Sequence, residues 1–144
     1  MRVNLPMCVS RLGNNTASNA LGLAKVAVDA CITSTIGYRN DLVALTLELE
    51  AGNKELHPLV EPLTVCNSAS SHARTSFDEA KMEIKERKYP TAMEKLDEGM
   101  QWTKKCNTGL TAVEGTKMPE PLGEHTGENV DLAIIAKAIT SLIN

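Results

Sequence analysis

Aromatic residues are scarce in this 144-residue chain, where one Trp, one Phe and two Tyr make up 3% of the total. The strands of β-sandwiches are rich in aromatic and β-branched side chains, so this scarcity disfavours a sandwich and favours close-packed helices. The hydrophobic fraction of 42% is sufficient for a core, and a chain of this length is most simply a single domain.

An excess of positive charge is also missing, because 15 Lys and Arg face 18 Asp and Glu, for a net charge of −3. This balance argues against a nucleic-acid interface and against a polybasic membrane anchor. The longest apolar run, Leu132 to Ala136, is far shorter than the roughly 20 residues that span a bilayer. Met1 to Met7 shows no secretory signal, so the residues alone leave open a cytosolic chain or a mature or truncated one.

Patterns that carry catalysis or metal binding are absent as well. The sequence has no GxSxG, HExxH, P-loop or GxGxxG motif, and its four cysteines form no CxxC or Cys/His ligand spacing. We expect His57, His72 and His125 to be solvated surface residues. The sequence therefore predicts no catalytic residue, no metal site and no cofactor. Asn14 begins an Asn-Asn-Thr sequon and is a glycosylation candidate if the chain is secreted.

Apolar residues at alternating spacings of three and four are what the chain does have, and this period is typical of amphipathic helices. The predicted helices cover, in order, residues 17–50, 59–84, 92–113 and 132 to the C-terminus. A polar connector, Glu114 to Gly127, precedes the last helix, whose inward stripe is predicted to be Leu132, Ile135, Ile139 and Leu142. Four such segments with short connectors predict an all-α, antiparallel up-down-up-down four-helix bundle.

Two cysteines lie on the inward stripes of neighbouring predicted helices. Cys66 and Cys106 are equidistant from the predicted turn near Lys85 to Pro90, so an antiparallel hairpin brings them together to within about one helical turn, about 5.4 Å. A disulfide requires a Cα separation of about 4.4–6.8 Å, a stricter condition. The spacing is compatible with a disulfide and equally with two buried thiols.

In this context the sequence resembles the plant invertase and pectin methylesterase inhibitors, a family whose scaffold some pollen allergens share. Four stretches in the family's order carry the resemblance and cover nearly the whole chain. They are Met7 to Leu12, the Ala-rich first helix, the segment from Cys66 through Lys88-Tyr89-Pro90-Thr91-Ala92 to Cys106-Asn107-Thr108-Gly109-Leu110, and the closing helix Asp131 to Ile143. The order and spacing of the cysteines are the most specific part of the pattern.

The resemblance implies a disulfide between Cys66 and Cys106, secretion to the cell wall or the vacuole, and no cofactor. It further implies one-to-one binding over the active-site cleft of an invertase or a pectin methylesterase. Residues 1–16 then correspond to the remnant of the family's N-terminal helical hairpin, and residues 17–144 to the four-helix bundle inhibitor domain.

The sequence departs from the family pattern at three places. The first cysteine of the family's N-terminal hairpin is missing, so Cys8 lacks its usual partner, and the signal peptide is missing too. Cys31 is extra, and is either a buried free thiol or the partner of Cys8. The Pro-Lys-Phe motif that some invertase inhibitors carry at the second bundle turn is replaced by Tyr89-Pro90-Thr91.

The contact with the target enzyme is predicted at one of two places. For an invertase, whose cleft is lined with carboxylates, the cations of the turn Arg87, Lys88, Tyr89, Pro90 and Thr91 are the predicted contact. For a pectin methylesterase, which the family binds mainly through helix faces, the predicted contacts are exposed residues of the second and third helices such as Arg74, Lys81, Glu94 and Gln101. Two alternatives remain open: a non-inhibitory pollen allergen or binding module of the same fold, and an intracellular four-helix adaptor.

Overall fold

A computed structural model describes residues 17–113 and 120–143. These residues form four long helices and one short 3-10 helix, with no strand among them. The α-helices are α1 (Ala17–Glu50), α2 (Val60–Lys85), α3 (Tyr89–Thr111) and α4 (Glu120–Thr140), and the 3-10 helix Lys54–Leu59 lies between α1 and α2. The prediction of an all-α four-helix bundle is confirmed.

The helices close into a four-membered ring. The α2–α3 pair has the most extensive contact, α1 packs on α2 and α4, and α3 packs on α2 and α4. Helix α1 is therefore diagonal to α3, and their outer faces point in opposite directions. This arrangement leaves the outer side of the α2–α3 hairpin exposed to solvent.

The ends of the helices follow from local backbone chemistry. Gly52 adopts a positive φ of 91° after α1, and the N–H groups of Gly52 and Asn53 donate to carbonyl groups of the last turn of α1. The side chain of Asn53 then caps the 3-10 helix by accepting a hydrogen bond from the N–H of Glu55. Glycine is suited to this position because a side chain disfavours a left-handed backbone.

The core consists of two clusters stacked along the bundle axis. Near the α2–α3 turn, Phe77 is fully buried among Val28, Ile84 and Leu96, and in the other half Tyr38, Leu42, Leu63 and Leu122 surround the Cys66–Cys106 pair. In the first three helices, the apolar residues that recur at spacings of three and four lie in these clusters, as predicted. Among the helices of the described residues, α1 is the one long and apolar enough to cross a membrane, and its inner stripe packs on α2 and α4 as in a core helix.

The prediction for the last helix was wrong in two respects. Helix α4 begins at Glu120, well inside the predicted connector Glu114 to Gly127. The helix also ends at Thr140, so the predicted stripe residue Leu142, which is 52% exposed, lies beyond it. Leu132 and Ile135 of the predicted stripe are only half-buried, whereas the buried positions of the helix are Leu122, Thr126, Asn129, Ala133, Ala136, Ile139 and Thr140. Polar residues occupy three of these positions, so a search for apolar periodicity alone does not find the stripe.

A buried hydrogen-bond network makes one of these polar residues, Asn129, tolerable in the core. The side-chain amide of Asn129 donates to the carbonyl of Cys31 at 3.2 Å and to the hydroxyl of Thr35 at 2.9 Å, and its oxygen accepts from Thr103 at 2.8 Å. The Tyr38 hydroxyl shares a hydrogen bond of 3.1 Å with the same threonine. The network joins α1, α3 and α4, and satisfying buried polar groups in this way avoids a desolvation cost of about 1–3 kcal/mol for each.

Candidate binding surface on the second helical hairpin

The disulfide that the resemblance implies is present between α2 and α3. Cys66 and Cys106 are fully buried, and their Cα atoms are 4.4 Å apart. Closing a chain loop of this size stabilises the fold by about 4 kcal/mol in the chain-entropy model. The bridge fixes the two helices against each other at the end of the hairpin far from its turn.

A second close contact fixes the same pair of helices nearer the turn. Gly99 of α3 lies against the ring of Phe77 of α2, so close that a Cβ atom on residue 99 would fall 2.7 Å from Cζ and 2.8 Å from Cδ1 of the ring. Only a residue without a side chain allows this approach. The hairpin is therefore held rigid at two points along its length.

Between these two points, an aromatic pair lies on the outer side of the hairpin. The imidazole of His72 on α2 stacks on the indole of Trp102 on α3, with ring centroids 4.5 Å apart and an angle of 20° between the planes. The ammonium group of Lys105 lies 5.2 Å from the centroid of the indole ring, in cation–π range. Trp102, the single tryptophan of the chain, is half-buried and contacts both core clusters.

Charged residues continue the surface toward the turn. Lys95 of α3 contacts Glu79 of α2 at 2.8 Å and Glu98 of its own helix at 3.3 Å. The hydrogen bonds to Glu79 and Glu98 raise the pKa of Lys95 above its ordinary value. We call the surface formed by His72, Glu79, Lys95, Glu98, Trp102 and Lys105 the hairpin face. It combines one large aromatic anchor with charges of both signs on a rigid support.

The turn predicted to contact an invertase lies at one end of the hairpin. Arg87 has a positive φ of 63°, and the N–H of Lys88 donates to the carbonyl of Glu83 at 2.8 Å, which closes α2 and directs the chain into α3. Arg87, Lys88 and Pro90 are exposed, whereas Tyr89 and Thr91 are half-buried and Tyr89 packs on the core. The ammonium group of Lys88 contacts the carboxylate of Glu86 at 3.2 Å.

The residues predicted as helix-face contacts do not share one surface. Lys81 pairs with Asp29 of α1 at 2.8 Å, and this hydrogen bond raises the pKa of Lys81. Arg74, two turns earlier on the same side of α2, lies 3.8 Å from Asp78. Glu94 and Gln101 are exposed on α3, where Gln101 is adjacent to Trp102 in the sequence. Two of the four residues therefore lie toward α1 and two on α3.

The remaining titratable residues do not form a reactive cluster. Within residues 17–113 and 120–143, no group of three or more His, Cys, Asp or Glu could hold a metal ion. His125 contacts the carboxylate of Asp41 across the α1–α4 seam, and 42% of its side-chain surface stays exposed, in agreement with the predicted surface position. Cys31 is a buried free thiol, and burial raises its pKa to about 12. Cys8, Asn14 and the predicted hairpin remnant 1–16 lie outside the described residues.

The aromatic pair is the feature that inspection of single residues missed. His72 and Trp102 lie at nearly equal distances from the turn, as Cys66 and Cys106 do, so the rule that pairs the cysteines also pairs the two rings. A rigid hairpin that presents a half-buried tryptophan to solvent has one feature of a protein-binding surface, because Trp is among the residues that most often dominate interface energetics. The fold and the surface are those of a helical bundle with a candidate protein-binding face.

Comparison with known proteins identifies the family. No family model matches the sequence. Two curated rice proteins (Oryza sativa subsp. japonica) are similar over 99% of the chain: Pectinesterase inhibitor 12, 36% identical with 68% of its length covered, and Pectinesterase inhibitor 8, 33% identical with 75% covered. The crystal structure of a pectin methylesterase inhibitor from Arabidopsis thaliana matches with a TM-score of 0.76 at 12% identity, over 96% of this chain and 85% of that one.

The chain belongs to the plant pectinesterase inhibitor family, as its similarity to the rice proteins shows. Its members are inhibitors of an enzyme and not enzymes themselves. The likeness to the Arabidopsis protein, at low identity, supports the fold.

Proposed function

We propose that this protein inhibits a pectin methylesterase, binding it one-to-one through the hairpin face and covering access to its active site. The observation that carries the proposal is the similarity to two rice proteins named as pectinesterase inhibitors, which extends over 99% of the chain. The matched span includes both helices of the hairpin.

The hairpin face is suited to this role because it is fixed before binding. Trp102 is wedged between the two core clusters and stacked on His72, so little side-chain freedom is lost when a partner covers it. Lys105 beside the indole offers a cation to carboxylates of the partner. Truncating one such anchor typically weakens binding by about 2–4 kcal/mol, about 30- to 1000-fold in Kd.

The turn after α2 is a second contact in this proposal. Arg87 and Pro90 are exposed beside Lys88, whose charge is shared with Glu86 in an exposed pair that contributes little on its own. A carboxylate of the target can therefore compete with Glu86 for Lys88. The Lys88→Glu variant is expected to weaken inhibition if the turn reaches the target.

Secretion follows from the same proposal, because the substrate of a pectin methylesterase is a cell-wall polymer. The Cys66–Cys106 disulfide agrees with an oxidising compartment. Mass spectrometry without reduction, on protein isolated from the cell wall, tests both the location and the bridge. It also shows whether Asn14 carries a glycan.

The deciding experiment titrates the purified chain against a pectin methylesterase and, in parallel, against an acid invertase. We expect stoichiometric loss of esterase activity and no loss of invertase activity. Inhibition of invertase alone contradicts the proposed target, and inhibition of neither supports the alternative of a non-inhibitory allergen of the same fold.

Variants then locate the contact. Lys105→Glu and His72→Ala are expected to raise the inhibition constant about tenfold or more, and Trp102→Ala further still. Met82→Ala is the matched control, since Met82 is exposed on α2 away from the aromatic pair. Unchanged inhibition by both Lys105→Glu and His72→Ala rejects the hairpin face as the contact.

A further inference from the structure

Helix α1 carries a second apolar stripe on the side that faces away from the bundle. Its four members, spaced by four, three and four residues, are Ile36, Asn40, Val43 and Leu47. All except Asn40 are large exposed hydrophobic residues. Val43 is 55% exposed and Leu47 is 59% exposed. We call these four residues the ridge. Exposed large hydrophobic residues also occur on α2, at Val60, Val65 and Met82, but these three do not share the four-three-four spacing of the ridge.

A shallow groove runs beside the ridge, between α1 and α4. The α1 side of the groove has the same four-three-four spacing in smaller side chains: Val26, Ala30, Thr33 and Gly37. Leu132, Glu128 and His125 of α4 form the opposite side. Space is open at Gly37, where a Cβ atom would meet no other atom within 4 Å.

We propose that the ridge and the groove form the interface between two copies of this chain, with their α1 helices antiparallel. A two-fold axis between Ile36 and Gly37 places every ridge residue of one copy on a groove residue of the other. The contacts are Leu47 on Val26, Val43 on Ala30, Asn40 on Thr33 and Ile36 on Gly37. Each large side chain thereby meets a smaller one, and the polar pair Asn40 and Thr33, about one turn from the axis, can form a hydrogen bond. A two-fold interface must be self-complementary in this way.

Charge complementarity supports the same register. Lys25 and Glu50 are exposed on the ridge side of α1, near its two ends, and neither has an ion-pair partner among the described residues. The two-fold axis brings Lys25 of each copy to about one helical turn or less from Glu50 of the other, which allows two ion pairs. Asp29, an acidic residue close to the stripe, is already paired with Lys81 and adds no unpaired charge.

The position of α1 keeps this interface apart from the proposed target contact. Helix α1 is diagonal to α3, so the hairpin face of each copy stays exposed in the dimer. A dimer can therefore bind two enzyme molecules, with one inhibitor chain for each. The inference does not depend on the identity of the target, since it uses only α1 and the groove beside it.

Sedimentation velocity over a concentration series tests the interface with the full chain. We expect a monomer–dimer equilibrium whose dissociation constant rises about tenfold or more in Leu47→Glu and in Val43→Glu, because each substitution brings a charge onto a buried apolar contact. Met82→Glu is the control, since Met82 is comparably exposed on α2 and is expected to leave the equilibrium unchanged. Circular dichroism verifies that every variant remains folded.

Cross-linking tests the register. In a Cys8→Ser background, a mixture of Thr33→Cys and Asn40→Cys chains is expected to form a covalent dimer on mild oxidation, whereas each chain alone is not. A chain that stays monomeric up to about 0.5 mM overturns the proposal, since that range includes weak interfaces. A dimer that persists unchanged in the Leu47→Glu variant also overturns the proposal. If only a chain beginning at Ala17 dimerises, residues 1–16 cover the stripe in the full chain and the proposal is wrong.

Discussion

Replacing Gly99 with Ala is the most direct test of how tightly α2 and α3 pack. In an exposed helix interior this change stabilises a protein by about 1 kcal/mol, because alanine has the higher helix propensity. Here the added Cβ would lie 2.7 Å from Cζ of Phe77, whose ring is fully buried. Non-bonded carbon atoms prefer about 3.5–4.0 Å, so the ring or the helix must move by about 1 Å.

The two effects have opposite signs, and we expect the steric one to be larger. Forcing an additional carbon into a close-packed core costs about 1–3 kcal/mol, and Phe77 cannot rotate into solvent to relieve the contact. After the gain in helix propensity is subtracted, a net destabilisation of up to about 2 kcal/mol remains. For a chain of this size that corresponds to a fall of up to about 8 °C in Tm.

Thermal and urea unfolding followed by circular dichroism, with the disulfide intact, measure this difference. Gly127→Ala on α4 is the matched control, because a Cβ atom there would meet no atom within 4 Å and the substitution is expected to be neutral or stabilising. Phe77→Leu should partly rescue Gly99→Ala, so that the double variant loses less stability than the sum of the single changes. If Gly99→Ala is as stable as Gly127→Ala, the proposed ring contact is wrong.

Three further outcomes follow from the buried groups. Asn129→Leu is expected to cost about 2–4 kcal/mol in urea unfolding, since Thr103 and Thr35 lose a buried partner; a neutral effect would show that the network does not stabilise the bundle. Reduction of the Cys66–Cys106 bridge is expected to cost about 4 kcal/mol, measured by melting with and without reductant and with thiol counting by mass spectrometry; an unchanged Tm contradicts this. Burial raises the pKa of Cys31 to about 12, above the ordinary thiol value of 9.0. The contribution of the protonated thiol to the free energy of unfolding is therefore fully present below pH 9 and is lost as the pH rises toward 12. Cys31→Ala should flatten this alkaline loss of stability, and native protein should resist alkylation at Cys31 near pH 8.

The first three helices could be predicted from sequence because their inward positions are occupied by apolar or small residues. On α1 the 3-4 spacing from Ala24 through Leu42 coincides with the buried face, and the predicted span 17–50 matches the helix. Pro90 and the charged residues before it also mark the turn between α2 and α3 to within a residue or two. Binary patterning is sufficient where the core is apolar.

The fourth helix could not be predicted in the same way, because its inward stripe uses polar residues that need specific partners. Asn129 reads as solvent-facing until Thr103, Thr35 and the Cys31 carbonyl are known to lie opposite it. Thr126 reads the same way until its hydroxyl is known to donate to the side-chain oxygen of Asn107 on α3. Those partners come from two other helices, so the pattern of α4 alone does not contain the information. The 3-4 spacing of the buried positions in α4 becomes visible only when polar residues with hydrogen-bond partners in the core are counted along with the apolar ones.

The candidate surface shows a related limit of sequence reasoning. Exposed charged residues such as Lys81 look like free contacts in the sequence, yet Lys81 is paired with Asp29 of the neighbouring helix. The sequence gives no sign that Trp102 stacks on His72 at the surface, because the two residues lie on different helices. Which side of a helix faces a neighbour is set by the packing of the bundle, and that packing is a tertiary property.

The rigidity of the hairpin connects the fold to the proposed inhibition. Trp102 lies one helical turn before the bridged Cys106 and one turn after Gly99, so the disulfide and the close contact of Gly99 with Phe77 flank the anchor. An inhibitor without catalytic chemistry depends on binding free energy alone, and each side chain that is ordered before binding reduces the entropy lost on association. A loosened hairpin should therefore bind its target more weakly even with every surface residue unchanged. Gly99→Ala, which changes a buried position, is expected to raise the inhibition constant as well as lower Tm. An unchanged inhibition constant, measured where the variant is fully folded, would show that binding does not depend on the rigidity of the hairpin.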